Sequence, residues 1–152
     1  MFNGDEHPIL IVEDSPEDFE ATRRALRKSR LGNGVYHCAD GDEALDFLHH
    51  RGKYADLASA PRPSMILLDL NLPGTDGREV LAEIKQDPQL RNIPVVVLTT
   101  STDPRDIESC YEVGANSYVQ KPVDLEGLVH GLERLQDYWF EIVVLPEDPS
   151  HA

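Results

Sequence analysis

Cysteine and positive charge are both scarce in this sequence. Its 152 residues include only 2 cysteines, Cys38 and Cys110, which have neither metal-ligand spacing nor a disulfide-rich context. Lysine and arginine together number 14 against 28 aspartates and glutamates, so the formal net charge is −14. A surface that binds nucleic acid without regard to sequence has to be basic. We therefore expect reduced cysteines, a cytoplasmic location and no nucleic-acid partner.

Long apolar runs and glycine-rich phosphate loops are also missing. No stretch is long and apolar enough to span a membrane, and the first residues, MFNGDE, lack the basic and apolar regions of a signal peptide. The turn after the first apolar run reads EDSPED, without the glycines that hold a pyrophosphate in dinucleotide-binding and P-loop proteins. These absences argue against a membrane partner and against both kinds of nucleotide site.

The sequence does contain five short apolar runs that alternate with amphipathic helical segments. The runs predict strands at 9–12, 35–39, 65–69, 94–99 and 116–119, each followed by a helix. Near-continuous apolar strands indicate burial on both faces, and hence a parallel sheet with helices on each side. We predict an α/β fold with a doubly wound, five-stranded parallel sheet of flavodoxin-like order. It forms one domain over residues 1–140, with a short C-terminal tail over 141–152.

Charged and hydroxyl side chains collect where these strands end. Glu13 and Asp14 follow the first strand, Asp69 ends the third, Thr99 ends the fourth and Lys121 follows the fifth. Ligands of doubly wound sheets bind beyond the carboxyl ends of the strands. Three carboxylates at one edge repel one another, and a divalent cation removes that conflict. Because all the donors are hard oxygens, the pattern predicts a Mg²⁺ site suited to a phosphate-bearing partner.

Each of these residues also has an ordinary structural explanation. An aspartate at a strand end often caps the next helix, a threonine there is a good strand former, and a Lys-Pro pair often forms a turn. Their joint occurrence, distributed over four strands in this order, favours the functional interpretation.

Four motifs resemble the receiver domain of two-component response regulators. They are EDS at 13–15, LLDLNLPGTDG at 67–77, VVVLTT at 95–100 and YVQKP at 118–122, and the resemblance extends over about residues 7–140. It implies that Asp69 accepts a phosphoryl group from a sensor histidine kinase or a phosphotransfer protein. It also implies that Mg²⁺ is held by Glu13, Asp14, Asp69 and the backbone carbonyl of Asn71.

The same resemblance implies roles for the residues of the fourth and fifth strands. Lys121 would pair with the phosphoryl group, and Thr99 would hydrogen-bond it and move inward. Tyr118 would be the aromatic side chain that rotates in behind Thr99. Pro122 would follow a cis peptide bond. Phosphorylation would then act as a two-state switch, because the new dianion offers contacts that the unmodified aspartate lacks.

The residues after the last helix read EIVVLPEDPSHA and predict no output domain. We therefore expect a single-domain regulator that signals by phosphorylation-dependent protein–protein interaction. The alternative is a relay intermediate that passes its phosphate to a histidine phosphotransfer protein. The long 52–64 connection, the NLPGTDGREVLAEIK stretch and the YWFEIVVLP ending resemble small regulators paired with bacterial phytochrome kinases.

An enzyme is the rival class. Haloacid-dehalogenase-type phosphohydrolases also use an aspartyl nucleophile and magnesium, but they need a second aspartate two residues later as general acid and base. Here that position is Asn71, which cannot transfer a proton, so we expect no enzymatic activity.

The apolar IVVL run at 142–145 lies beyond the point where such a domain has completed its core. Left exposed, it would promote aggregation. We expect a homodimer built on the fourth helix, the fifth strand and the last helix, with the tail taking part. The alternative is that the run folds back over Tyr138 or Trp139.

Overall fold

A computed structural model describes residues 8–27, 34–122 and 124–138 of the protein. The strands are β1 (Ile9–Val12), β2 (Val35–Cys38), β3 (Met65–Leu68), β4 (Val95–Thr99) and β5 (Ser117–Gln120). The helices are α1 (Pro16–Arg27), α2 (Gly41–His49), α3 (Gly77–Gln86), α4 (Pro104–Val113) and α5 (Leu125–Asp137). Two short 3₁₀ turns, Gly52–Tyr54 and Leu57–Ser59, lie in the long connection before β3.

The five strands form one parallel sheet in the order β2-β1-β3-β4-β5. This confirms the predicted doubly wound, flavodoxin-like architecture. Residues of β1, β3 and β4 are buried throughout because helices cover both faces of the sheet. The order reverses between β1 and β3, so their carboxyl ends flank the crevice where such folds bind ligands.

The core has two layers, one on each face of the sheet. Alternate strand residues point to opposite faces, so Leu10 and Val12 pack in one layer with α2, α3 and the Cys110 side of α4. Ile9 and Ile11 pack in the other layer with α1 and α5. The apolar strands thus hold their ends at fixed positions between two layers of helices.

Aspartates in the strand-to-helix loops cap the helices that follow. Asp40, Asp76, Asp103 and Asp124 each accept a hydrogen bond from a backbone N–H in the first turn of the next helix. The structural explanation offered for a strand-end acid therefore holds for these four residues. It does not describe Asp69, whose helix α3 is capped by Asp76 instead.

Gly77 brings the start of α3 against the end of β3. A Cβ atom at this position would lie 2.2 Å from the backbone oxygen of Asp69 and 2.6 Å from Cα of Leu70. Only glycine permits that approach, and the Gly77 N–H donates to the Leu70 carbonyl at 2.9 Å. The backbone around Asp69 is consequently fixed by direct packing against α3.

The observed boundaries differ little from the predicted ones. β5 covers Ser117–Gln120, one residue later than predicted, because the Asn116 side chain instead accepts a hydrogen bond from the Val95 N–H at 2.9 Å. The tail at 141–152 lies outside the described residues. Among the described residues, none of the helices combines the length and apolar character needed to cross a bilayer.

Candidate functional site at the carboxyl edge of the sheet

The polar side chains predicted at the strand ends lie together and are mostly buried. Four of the five buried polar side chains among the described residues belong to this group: Glu13, Asp69, Thr99 and Lys121. Burying such groups is costly unless each finds a partner. The fold therefore accepts a free-energy cost here that it avoids elsewhere in the core.

Backbone hydrogen bonds continue the sheet just past the strands and align these residues. The Glu13 N–H donates to the Cys38 carbonyl at 3.0 Å, and the Asp69 N–H donates to the Val12 carbonyl at 3.0 Å. The Lys121 N–H donates to the Thr99 carbonyl at 2.7 Å. The sheet ladder itself thus sets the spacing between the candidate side chains.

The ammonium group of Lys121 is surrounded by carboxylates. Its Nζ lies 2.5 Å from Oε1 of Glu13, 2.9 Å from Oδ2 of Asp18 and 3.0 Å from Oδ2 of Asp69. An ammonium group has three N–H donors, and here each has a carboxylate acceptor. Burial favours the neutral amine, but the hydrogen bonds that Lys121 donates to Glu13 and Asp18 outweigh this effect and raise the pKa of Lys121.

For Glu13, burial has the larger effect on the protonation equilibrium and favours the neutral carboxylic acid. Burial raises its pKa to about 7, the negative charge of Asp69 adds to the rise, and the hydrogen bond from Lys121 opposes it. The second carboxylate oxygen of Glu13 accepts a hydrogen bond from the Ser15 N–H at 3.2 Å. The single Lys121 cation does not balance the carboxylates around it, so the site remains rich in negative charge.

Asp69 is held by donors on both of its oxygens. Lys121 donates to Oδ2, and the Asn71 N–H donates to Oδ1 at 3.1 Å. The two contacts stabilise the carboxylate charge and fix the orientation of the side chain at the end of β3.

The donor set fits a divalent metal ion. Glu13, Asp14 and Asp69 each offer a carboxylate oxygen, and these oxygens all lie within 4.8 Å of one another. Asp14 is exposed while the other two are buried, so an ion at this cluster would remain accessible to water. Carboxylate oxygens with access to water suit Mg²⁺ and related hard cations. The predicted contribution of the Asn71 carbonyl stays a prediction.

Thr99 and Tyr118 are linked through Ser101. Thr99 is fully buried, and its hydroxyl accepts a long hydrogen bond of 3.4 Å from the Ser101 N–H. The Tyr118 hydroxyl donates to the Ser101 carbonyl at 3.0 Å. The Tyr118 hydroxyl is therefore bonded to the loop that follows Thr99, and the predicted coupling between the two residues stays a prediction.

The expectation of a cis peptide bond before Pro122 is wrong for this structure. Every peptide bond among the described residues is trans, including the bond between Lys121 and Pro122. The sequence could not settle this point, because a peptide bond before proline prefers trans by only about 0.5–1 kcal/mol and its surroundings decide the isomer.

Sequence reasoning missed Asp18 as part of this site. Asp18 lies in the first turn of α1, where an acid is favoured by the helix dipole whether or not it belongs to a site. In the structure, Asp18 contacts the same ammonium group as Glu13 and Asp69. The available signal was its position in α1, because a side chain in the first turn of the helix after β1 lies at the carboxyl edge of the sheet.

Comparisons with known proteins agree with this geometry. The family model for the response regulator receiver domain matches residues 9–133. Response regulator Rcp1 from Synechocystis sp. is 45% identical over 138 residues, which cover 91% of this chain and 92% of that protein.

Solved structures show the same relationship. The phosphorylated cyanobacterial phytochrome response regulator RcpA matches with a TM-score of 0.89 and 42% identity, over 94% of this chain and 100% of that chain. The Mn²⁺-bound form of Rcp1 matches with a TM-score of 0.87 and 44% identity, over 92% of this chain and 99% of that one. Receiver domains accept a phosphoryl group and bind a divalent metal through acidic residues such as those gathered here. With its family match, fold and acidic edge in agreement, this chain belongs to the response regulator receiver domain family.

Proposed function

We propose that Asp69 receives the phosphoryl group from a phosphohistidine of a sensor kinase. The observation that supports this most directly is the buried Asp69 carboxylate held between the Lys121 ammonium and the Asn71 N–H. An Asp69 oxygen attacks phosphorus, a P–O bond forms, and the P–N bond breaks with its electron pair going to the imidazole. Burial and fixed donors keep the nucleophile oriented for this in-line attack.

We propose that Lys121 stays paired with the negative charge at Asp69 before and after phosphorylation. Phosphorylation replaces the single negative charge of Asp69 with a dianionic group that has several acceptor oxygens. The ammonium group already contacts Oδ2 of Asp69 at 3.0 Å. A small shift of the Lys121 ammonium group then lets it donate to a phosphoryl oxygen, where the charge-assisted hydrogen bond is strongest.

The proposed metal ion is Mg²⁺, held by Glu13, Asp14, Asp69 and the backbone carbonyl of Asn71. When bound, it neutralises charge on the oxygens that take part in transfer. The acidic cluster supports the proposal because its three carboxylates exceed the one buried cation beside them.

The switch residues act on the β4 side of the site. In our proposal, the Thr99 hydroxyl donates to a phosphoryl oxygen and moves away from the Ser101 N–H, from which it accepts only a long hydrogen bond in the unmodified protein. Movement of Ser101 then disturbs the hydrogen bond from Tyr118, whose ring reorients together with the loop. Pro122 fixes the backbone next to Lys121. The outcome is a changed surface around α4 and β5.

The partner we propose is a phytochrome-type histidine kinase in the cytoplasm. RcpA is described as a cyanobacterial phytochrome response regulator, and it is 42% identical to this chain. Signalling then proceeds through phosphorylation-dependent protein–protein interaction. Passage of the phosphate to a histidine phosphotransfer protein is the alternative outcome of the same chemistry.

The phosphohydrolase alternative lacks its general acid, since the residue two positions after Asp69 is Asn71.

A homodimer built on α4, β5 and α5 is also proposed. Large apolar side chains are exposed on α4, at the start of α5 and directly after α5: Tyr111 (49%), Val113 (38%), Leu125 (46%) and Tyr138 (52%). Covering them with a second copy would remove apolar surface from water. Sedimentation of the full chain, and of a chain ending at residue 141, measures both dimer formation and the contribution of the tail. A monomer at tens of micromolar would contradict the proposal.

Labelling tests the proposed phosphoryl acceptor. Incubation with Mg²⁺ and acetyl phosphate should add one phosphoryl group that hydroxylamine removes, and Asp69→Asn should abolish it. Asp46→Asn is the matched control, because Asp46 is a surface acid of α2 paired with Arg51. Full labelling of Asp69→Asn would contradict the assignment.

A further inference from the structure

Asp18 occupies an unusual place among the acids of the site. It contacts the Lys121 ammonium at 2.9 Å, as Glu13 and Asp69 also do. It is not part of the cluster of carboxylates suited to a metal ion, which consists of Glu13, Asp14 and Asp69. Among the carboxylate partners that the described residues offer to Lys121, Asp18 is therefore the one that lies outside the candidate metal cluster.

The local structure of α1 directs Asp18 toward Lys121. Ser15 caps the helix by accepting a hydrogen bond from the Asp18 N–H at 3.3 Å. In a capping box, the acid three residues after the cap reaches back to the N–H of the cap residue. Here Glu13 already occupies the Ser15 N–H, so the Asp18 carboxylate is available to the ammonium. The Thr22 hydroxyl donates to the Asp18 carbonyl at 2.8 Å and holds this turn.

All three donors of Lys121 are in use before any phosphoryl group arrives. Its side chain is only 5% exposed, so water cannot readily supply further contacts. A phosphoryl group on Asp69 can inherit the donor that now points at that residue. To give the phosphoryl oxygens a second donor, Lys121 has to leave either Glu13 or Asp18.

Asp18 is the partner that can be released at the lower cost. Its side chain is 27% exposed, whereas that of Glu13 is 4% exposed. Water solvates a released carboxylate at the rim, while a buried one without its partner would be strongly destabilised. Exchanging Asp18 for a phosphoryl oxygen therefore costs Lys121 less free energy than exchanging Glu13.

We propose that Asp18 is a positioning residue for Lys121 and competes with the phosphoryl oxygens on Asp69 for the ammonium donors. The inference rests on the proposed function of Asp69 and Lys121. In the unmodified protein, Asp18 holds the ammonium group of Lys121 towards the more solvent-exposed side of the site. In the phosphorylated protein, it limits how many donors Lys121 commits to the phosphoryl group and so weakens that state.

The affinity for beryllofluoride, a stable mimic of the phosphoryl group, measures this competition. With saturating Mg²⁺, isothermal titration calorimetry should give Asp18→Asn an affinity about five- to tenfold higher than that of the wild type, because a charged competitor for a charge-assisted hydrogen bond is removed. Asp18→Ala should change the affinity in the same direction. It provides a second measurement should Asp18→Asn fold poorly.

Glu17→Gln is the matched control for net charge. Glu17 is an exposed acid of the same helical turn, and its carboxylate accepts a hydrogen bond from the Ser15 hydroxyl at 3.3 Å. Its neutralisation should raise the affinity by less than about twofold, as expected for a screened surface charge. Asp18→Glu should restore an affinity close to that of the wild type, because it keeps the charge that competes for Lys121.

The outcomes separate this inference from the proposed function. Equal affinities for Asp18→Asn and Glu17→Gln, or weaker binding by Asp18→Asn, would overturn the role of Asp18 while leaving Asp69 as acceptor. Failure of the wild type to bind beryllofluoride would overturn both. The ¹⁵Nζ resonance of Lys121 adds a direct readout. It should shift in Asp18→Asn and not in Glu17→Gln, which reports the loss of the Asp18 contact. The gain in beryllofluoride affinity, and its absence in Asp18→Glu, are the results that a merely structural role for Asp18 does not predict.

Discussion

Two ionic networks at the same edge of the sheet have opposite electrostatic character. In the first, Lys121 is buried among the carboxylates of Glu13, Asp18 and Asp69. In the second, Arg78 at the start of α3 donates to both carboxylate oxygens of Asp106 on α4, at 2.8 Å each. We call these the Lys121 cluster and the Arg78–Asp106 pair.

The pKa shifts of their acids differ in direction. Burial raises the pKa of Glu13 to about 7 in the Lys121 cluster. The hydrogen bonds from Arg78 and Ser101 lower the pKa of Asp106 to about 2. Bidentate pairing near the surface satisfies Asp106, whereas one ammonium cannot satisfy several buried carboxylates. The comparison teaches that the Lys121 cluster is electrostatically incomplete and suited to bind a cation, while the Arg78–Asp106 pair is complete and structural.

The largest expected effect comes from removing the cation of each network. Without metal at neutral pH, Lys121→Met should lower the free energy of unfolding by about 3 kcal/mol, because it leaves buried carboxylates without a partner. Arg78→Met should cost about 1 kcal/mol or less, since the Arg78 side chain is 38% exposed. Urea unfolding of the two variants measures the difference. Equal losses would mean that burial does not distinguish the networks.

Metal binding should stabilise one network and not depend on the other. At a Mg²⁺ concentration ten times its dissociation constant, the wild type should gain about 1.4 kcal/mol of unfolding free energy. Asp14→Asn should lose most of this gain, because Asp14 belongs to the acidic cluster. Asp106→Asn should keep it. Thermal unfolding with and without Mg²⁺ provides the test, and an undiminished gain in Asp14→Asn would locate the metal elsewhere.

The bidentate geometry of Arg78 predicts a smaller effect. Arg78→Lys keeps the charge but cannot donate through two nitrogens to both oxygens of Asp106. We expect a loss of about 0.5 kcal/mol in unfolding free energy. Lys85→Arg is not a suitable control for Arg78→Lys, because Lys85 donates its hydrogen bonds to backbone carbonyls rather than to a paired carboxylate. Asp106→Asn in combination with Arg78→Lys closes a double-mutant cycle, and additive effects would exclude coupling between the two residues.

The smallest expected effect is that of acid on the Arg78–Asp106 pair, which should weaken only at low pH. The folded-state pKa of Asp106 lies below its ordinary value of 3.8, so the unfolded chain binds this proton more readily. The stabilisation is therefore present above pH 3.8 and is lost as the pH falls towards 2. Acid unfolding should show a weaker pH dependence for Asp106→Asn than for the wild type in that window. Parallel curves would remove Asp106 from the acid response.

The fold was predictable from the sequence because its signals are local. Apolar runs bounded by turns placed all five strands, and alternation with helices indicated parallel pairing. The small shift of β5 followed from Asn116, whose side chain caps the neighbouring strand through the Val95 N–H. A contact between two strands of that kind leaves no mark in a local pattern.

The candidate site was predictable for a related reason. Parallel strands carry their carboxyl ends to one edge, so residues that end different strands must meet there. Glu13, Asp69, Thr99 and Lys121 were all named on that ground, and the structure brings them together. The isomer of the Lys121–Pro122 bond could not be predicted in the same way, since the energetic preference is small.

The sequence by itself determined which functional group stands at the end of each strand. It shows which strand ends in an acid, which ends in a hydroxyl, and which is followed by an ammonium group. Only the tertiary structure decided how these groups share their hydrogen bonds. Lys121 contacts Asp18 across 103 positions of sequence and Glu13 across 108. Periodicity is encoded between neighbours along the chain. By contrast, the division of one ammonium among competing carboxylates depends on distances and burial that exist only after the sheet and its helices have assembled.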